Sequence, residues 1–278
     1  MVAITLWCTV LFGSLLFSDL IFGTTTNLTT KHNQLLNIPS CSDEEALLRA
    51  LLLAGKLCDL SYEKSSMRHE FIRRSEIPFV SVVNIKVNLG EIVGQAWLLK
   101  DRRLFVVFRG TASFMDGLLN SRVARTTSFG GMGRVHAGFN ARYRRVKRQL
   151  DEIIETNIGS FDRIIFTGHS LGGAIAMLAA LDSARNKAWQ PDVVTFGSPK
   201  VGDITFGRFF NLYIKSCIRI VVDHDPVIKL PPRFLGYHHV HGGCVLMLHY
   251  HSSVHGFFDK LEAHRLDTYQ ANLRLLSQ

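Results

Sequence analysis

Short apolar runs alternate with longer Ala/Leu-rich or amphipathic stretches along most of this chain. Arg163-Ile-Ile-Phe-Thr, Asp192 to Phe196 and Cys217-Ile-Arg-Ile-Val-Val are continuous apolar runs of strand length. Ile92 to Leu99 and Leu104 to Phe108 read as two adjacent strands joined at Lys100-Asp101-Arg102-Arg103. The segments around them are helical in pattern. Ser42-Asp43-Glu44-Glu45 reads as a capping box that opens a helix running to Cys58. Ala137 to Asn157 repeats its apolar residues at helical spacing, with charges on one face. Leu171 to Asn186, Asp203 to Lys215 and Leu261 to Leu276 complete the helices. Strands apolar on both faces, alternating with helices, predict an α/β fold with a mostly parallel central sheet flanked by helices. In such sheets ligands bind at the carboxyl ends of the strands.

Composition adds the domain plan. With 278 residues and 47% hydrophobic content, one sizeable core is expected, over residues 41–278. Residues 1–23 stand apart: up to Phe22 they carry a single charge, Asp19, and are rich in Leu, Phe, Val and Ile. Such a run reads as a secretory signal peptide, with an uncleaved signal anchor as the alternative. The polar stretch 24–40 follows, and Asn27-Leu28-Thr29 in it is an N-glycosylation sequon. A secreted protein, or one anchored in the secretory pathway, is therefore expected. Cys41, Cys58, Cys217 and Cys244 then form an even set, expected as Cys41–Cys58 and Cys217–Cys244 bridges in an oxidising compartment. The alternative is four buried thiols.

Net charge is +9. Such a surface attracts anionic partners, lipid surfaces among them. No nucleic-acid recognition motif accompanies it, so nucleic acid is not expected as a partner. Arg142, Arg144, Arg145, Lys147 and Arg148 lie together on one helix and read as a solvated face.

The chemistry centres on Gly168-His169-Ser170-Leu171-Gly172, set between a strand and a helix. A serine there sits on a sharp turn with its hydroxyl above the sheet, and the Leu171 amide opens the helix toward a developing oxyanion. A bare pentapeptide of this kind arises by chance in roughly one chain of this length in ten. The strand before it and the helix after it are what make Ser170 a candidate nucleophile. Its partners should follow in the order acid, then histidine. Asp225, before Pro226 at the end of an apolar strand, is the candidate acid, with Asp223 as competitor. Seven histidines follow: His238, His239, His241, His249, His251, His255 and His264. Spacing does not choose the base among His249, His251, His255 and His264. No carboxylate lies near the His238–His241 cluster, and alternation along a strand splits it, so a metal is not expected.

Several separated motifs, in order, resemble one family. They are Val107-Phe-Arg-Gly-Thr111, Val135-His-Ala-Gly-Phe139, Thr167 to Ala174, Thr195 to Gly202, Asp223 to Pro232, and Glu262 to Tyr269. From about Val80 onward the chain resembles the class 3 lipases, the fungal-lipase-like α/β-hydrolases. The resemblance implies a Ser170–His264–Asp225 triad and an oxyanion hole from the Thr111 and Leu171 amides, with no metal or organic cofactor. It implies a serine lipase acting on acylglycerols at a membrane or droplet surface. Phospholipase A1, carboxylesterase or feruloyl esterase activity are alternatives, and a catalytically inactive lipase-fold binding protein is the alternative of another class. It also implies a lid over Ser113 to Phe129, where Gly117 follows Asp116 in place of the family's tryptophan.

Overall fold

The structure is a computed structural model. It describes residues 6–7, 43–63, 70, 77–87, 90–111, 125–127, 129–186, 189–240, 243–249 and 261–276. The strands among them are β1 (Leu6–Trp7), β2 (Phe79–Lys86), β3 (Ile92–Leu99), β4 (Arg103–Phe108), β5 (Arg125–Thr127), β6 (Arg134–His136), β7 (Arg163–His169), β8 (Asp192–Phe196), β9 (Ser216–Val222) and β10 (Cys244–Leu248). The longer helices are α1 (Asp43–Tyr62), α2 (Ala137–Thr156), α3 (Leu171–Asn186), α4 (Ile204–Tyr213) and α5 (Leu266–Leu275). Eight strands form one sheet in the order β1-β10-β9-β8-β7-β4-β3-β2, and β5 and β6 pair separately. From β4 through β7, β8 and β9 to β10 every pairing is parallel. β3, β2 and β1 add on antiparallel at the two sides. The mostly parallel sheet expected from the sequence is thus present.

The alternation along each central strand explains why it reads as continuously apolar. In β4, Leu104, Val106 and Phe108 enter one core layer, while Phe105 and Val107 enter the other. In β7, Ile164 and Phe166 point one way and Ile165 the other. The first layer is closed by α2, α3 and α4, the second by α1 and α5. Each of the largest buried side chains, such as Phe105, Phe108, Phe166 and Phe196, contributes about 1.5–3 kcal/mol through burial. β2 and β10 were not read from the sequence. β2 is an outer strand with Val80 and Val83 exposed, so it lacks the apolar continuity of the others. β10 likewise breaks its apolar burial, with Met247 exposed.

The basic residues of α2 are paired more than a solvated face requires. Arg142 reaches Glu91, and Arg148 reaches Glu152. Lys147 bridges Asp151 and the buried Asp182, which also accepts from the Tyr143 hydroxyl at 2.8 Å. These contacts tie α2 to α3 and to the β2–β3 connection.

The expected Cys217–Cys244 bridge is not formed. Cys244 lies beside Ile218, one position along from Cys217. Neighbouring strand residues face opposite ways, so Cys217 enters one core layer and Cys244 the other. Cys58 is likewise a buried thiol, 3.5 Å from the Thr167 hydroxyl, and is not bridged. Burial pushes the Cys58 and Cys217 thiols up to about 12. Cys41, Ser42 and Asn27 lie outside the described residues, as do residues 1–23 apart from β1 and most of the 113–129 segment.

Candidate active site

Ser170 sits between β7 and α3, at the carboxyl end of the sheet. Its φ is 58°, the left-handed region, which a non-glycine residue rarely adopts. Such backbone costs on the order of 1–3 kcal/mol and persists only where its surroundings over-determine it. Here the Ser170 amide donates to the Phe196 carbonyl at 2.9 Å, and the Ser170 carbonyl accepts from Gly173 at 3.0 Å. The turn is pinned on both sides, so the hydroxyl stands above the sheet.

His264 and Asp225 come to this serine from distant segments. The Ser170 hydroxyl lies 2.9 Å from His264 Nε2, and His264 Nδ1 lies 2.8 Å from Asp225 Oδ2. Asp225 is fully buried and its two oxygens are satisfied: Oδ1 accepts from the Val227 amide at 2.7 Å, and Oδ2 also accepts from the Tyr269 hydroxyl at 2.6 Å. Burial and the adjacent Asp225 carboxylate hold the Tyr269 phenol well above its usual range, so it remains a donor. Gly197 lies under this group with φ +56°; a Cβ there would sit 2.9 Å from both Asp225 Oδ2 and the Tyr269 oxygen.

The other candidates among the described residues do not reach Ser170. Asp223 turns to His249, 3.1 Å away and largely exposed. His239 donates to the Ile228 carbonyl at 2.7 Å, and His238 is held by its amide on Gly202. His241, His251 and His255 lie outside the described residues. Among the described residues no group of three His, Cys, Asp or Glu side chains could hold a metal.

The helix expected over Leu261–Leu276 breaks at Arg265, whose backbone is extended. A distant bond and a local one accompany the break: the His264 carbonyl accepts from His169 Nε2 at 2.8 Å, and the Thr268 amide turns to the Asp267 side chain. That break leaves His264 in a turn before α5.

Tyr62 and His169 are the functional neighbours the sequence reading missed. The Gly110 amide donates to the Tyr62 oxygen at 3.1 Å, and the Tyr62 hydroxyl lies 2.9 Å from His169 Nδ1. Since the His264 carbonyl can only accept, His169 Nε2 carries the proton and Nδ1 accepts from Tyr62. One chain of hydrogen bonds therefore runs from the Gly110–Thr111 segment to the backbone of His264. The signal was only that a titratable residue fills the variable position before Ser170; nothing in the sequence marked Tyr62. The His169 ring stacks on His264 with centroids 4.7 Å apart. Burial first, and the neighbouring His264 second, push His169 down to about 3, so it is neutral.

This has a measurable consequence for stability. An unfolded histidine binds its proton near pH 6.5, a proton that folded His169 refuses down to about 3. The contribution is complete above that unfolded value and is lost as pH falls, at about 1.4 kcal/mol per pH unit. His169→Gln is expected to be less stable at neutral pH, with a flatter slope of unfolding free energy between about pH 6 and 4. Urea titrations across that window would read it; parallel slopes in both proteins would exclude a neutral buried His169.

Thr111 and Leu171 flank Ser170. α3 starts so close to β4 that a Cβ on Gly172 would meet the Phe108 carbonyl oxygen, and a Cβ on Gly110 would lie 3.3 Å from the Ser170 Cβ. The Thr111 hydroxyl is buried with no partner among the described residues. A cavity of about 390 Å³ opens over the group, lined by Tyr62, Arg109, Thr111, Ser170, His264 and Leu266 among others. That size suits a small organic group. The arrangement provides a hydroxyl with an adjacent base, a buried carboxylate orienting that base, and an accessible space above it.

The chain is similar in sequence and in fold to known lipases. Residues 105–235 match the family model of class 3 lipases. Secreted mono- and diacylglycerol lipase 1 of Fusarium solani is 32% identical over 170 residues, covering 59% of this chain and 50% of that protein. A lipase of Rhizopus niveus is 31% identical over 148 residues, covering 50% of this chain and 38% of that protein. The chain thus spans half the length, or less, of these relatives. The solved triacylglyceride lipase of Rhizomucor miehei superposes with a TM-score of 0.59 at 23% identity, over 72% of this chain and 79% of that one, and so shares its fold.

Proposed function

We propose that the protein is a serine lipase of the class 3 family that hydrolyses the carboxylic esters of acylglycerols, a reading supported by the match of residues 105–235 to that family's model. The observation that carries the reading is the unbroken chain Ser170 Oγ–His264–Asp225, at 2.9 and 2.8 Å, beneath an open cavity. In this reading His264 Nε2 takes the Ser170 proton as the oxygen attacks the acyl carbonyl. Asp225 holds Nδ1–H and so fixes the tautomer that leaves Nε2 free. The Thr111 and Leu171 amides receive the oxyanion, His264 returns the proton to the leaving alcohol, and water then releases the acyl group by the same steps. Neutral His169 adds no competing charge to the imidazolium stacked on it. No step calls for a metal or an organic cofactor.

Secretion, signal removal after residue 23 and glycosylation at Asn27 remain part of the proposal. They rest on the apolar N-terminal run, the sequon and the secreted relative of Fusarium solani. Among the described residues no helix is long and apolar enough to cross a membrane.

The test is a substrate panel on the full chain: emulsified triacylglycerol, a soluble short-chain aryl ester, a phospholipid and a feruloyl ester. Triacylglycerol is expected to be turned over fastest once it forms an interface. Activity confined to soluble esters would leave an esterase, preference for phospholipid a phospholipase. Silence on the whole panel would leave a lipase-fold binding protein.

A further inference from the structure

The loop that leaves Asp225 ends in a short turn whose exposure the catalytic chemistry does not explain. Phe234, at the centre of the 3-10 turn Arg233–Leu235, is 87% exposed, and Leu235 beside it is 37% exposed. No other large apolar side chain among the described residues is as open as Phe234. A single exposed aromatic is ordinary on a protein surface. Three further observations set this one apart.

It is held rigidly. The Leu235 amide donates to Pro232 at 3.1 Å, and the Gly236 amide donates to Arg233 at 2.8 Å. The Lys200 amide donates to Leu230 at 2.7 Å, and the His239 ring donates to Ile228 at 2.7 Å. Its charge is one-sided. Lys229 and Arg233 precede it in the chain, both exposed, with no carboxylate paired to either among the described residues. It lies at the catalytic end. The turn follows β9 at the end where Ser170 stands, and single bridges link His238 to Gly202 and Gly202 to Val135 of β6. β6 pairs with β5, the described end of the segment that the family resemblance makes a lid.

We propose that the Arg233–Leu235 turn is a docking wedge. Phe234 and Leu235 enter a lipid surface carrying anionic headgroups, Lys229 and Arg233 pair with those headgroups, and the cavity over Ser170 is thereby turned toward the lipid. The occupant follows from charge: an exposed aromatic preceded by two cations that no described carboxylate neutralises, on a chain of net charge +9, complements an anionic interface. The proposal rests on the lipase reading and names the surface on which that site works, outside the 113–129 segment.

The experiment measures co-sedimentation of the full chain with vesicles of phosphatidylcholine, with and without phosphatidylglycerol. It uses a Ser170→Ala background, so that binding is read without hydrolysis. Phe234→Asp is expected to lower partitioning roughly tenfold or more, and Lys229→Glu with Arg233→Glu to remove the preference for phosphatidylglycerol. Ile158→Asp is the control: Ile158 is 55% exposed beyond the far end of α2, away from Ser170, and its substitution should leave partitioning unchanged. With Ser170 intact, Phe234→Asp should turn over a soluble short-chain ester at the wild-type rate. Equal partitioning of Phe234→Asp and its background, or equal losses in Phe234→Asp and Ile158→Asp, would overturn the wedge. So would a wild-type dimer that Phe234→Asp converts to monomer, since a second copy would then cover the turn. Absence of soluble-ester turnover in the wild type would instead fail the catalytic reading, while the vesicle result still decided the wedge.

Discussion

Ser170→Ala is expected to lower kcat on a soluble short-chain ester by about 10⁵-fold or more, with little change in KM. Among the described residues the Ser170 hydroxyl is the one within hydrogen-bond reach of His264 Nε2, at 2.9 Å, and it is the nucleophile of the proposed reaction. Without it, His264 can activate only water that is not held in place. Asp225→Asn is expected to cost about 10⁴-fold. The carboxylate accepts from His264 Nδ1, the Tyr269 hydroxyl and the Val227 amide. A carboxamide supplies a donor where three donors already converge, so the imidazole is pushed toward the wrong tautomer. Because the three residues act as one device, Ser170→Ala combined with His264→Ala should be about as inactive as Ser170→Ala alone. Burst and steady-state kinetics on the same ester check all of these. Ser170→Ala turning over within tenfold of the wild type would end the triad assignment.

Gly172→Ala is expected to destabilise the fold by about 3 kcal/mol or more, near the top of what overpacking costs. The added carbon would stand 2.0 Å from the Phe108 carbonyl oxygen and 3.0 Å from the Arg109 carbonyl carbon. Both are backbone atoms at the end of β4, so no rotamer change relieves the clash. α3 must lift from the sheet, and its first turn carries the Leu171 amide next to Ser170. Activity should therefore fall together with stability. For a chain of this size the loss corresponds to a Tm lower by roughly 6–12 °C. Gly55→Ala supplies the comparison. There a Cβ meets only side-chain atoms at 3.5 Å or more, within α1, and alanine should be neutral or stabilising by up to about 1 kcal/mol. Thermal unfolding that places the two variants together would refute the close approach of α3 to β4.

Some of this architecture was legible because the determining forces are local. β7, β8 and β9 are buried on both faces, so each carries a run of adjacent apolar residues that announces it. α3 was readable to the residue, since its Ala/Leu-rich run is framed by Leu171 and Asn186. β2 was not, because its outward face is exposed and its pattern is mixed. The break before α5 was invisible for a different reason. It depends on the His264 carbonyl being taken by His169, 95 positions away in the chain.

The same division runs through the site. The strand-turn-helix setting of Ser170 is a local property, and the chain itself singles it out. The choice of Asp225 over Asp223, and of His264 over His249, was left open by spacing and rested on family resemblance. In the folded chain Asp225 and His264 converge on Ser170, while Asp223 and His249 take each other. The expected cysteine bridge between Cys217 and Cys244 failed because strand register, unreadable from spacing, sends the two side chains into opposite layers. Tyr62 and the neutral state of His169 belong wholly to the tertiary structure, for burial and hydrogen-bond partners drawn from α1, β7 and the start of α5 create them. By itself, then, the sequence determined the fold class and Ser170, because backbone propensity, apolar periodicity and tight-turn chemistry act between near neighbours. Only the tertiary structure decided which acid and histidine complete the group, since convergence over 39 and 94 positions depends on how the whole sheet is assembled.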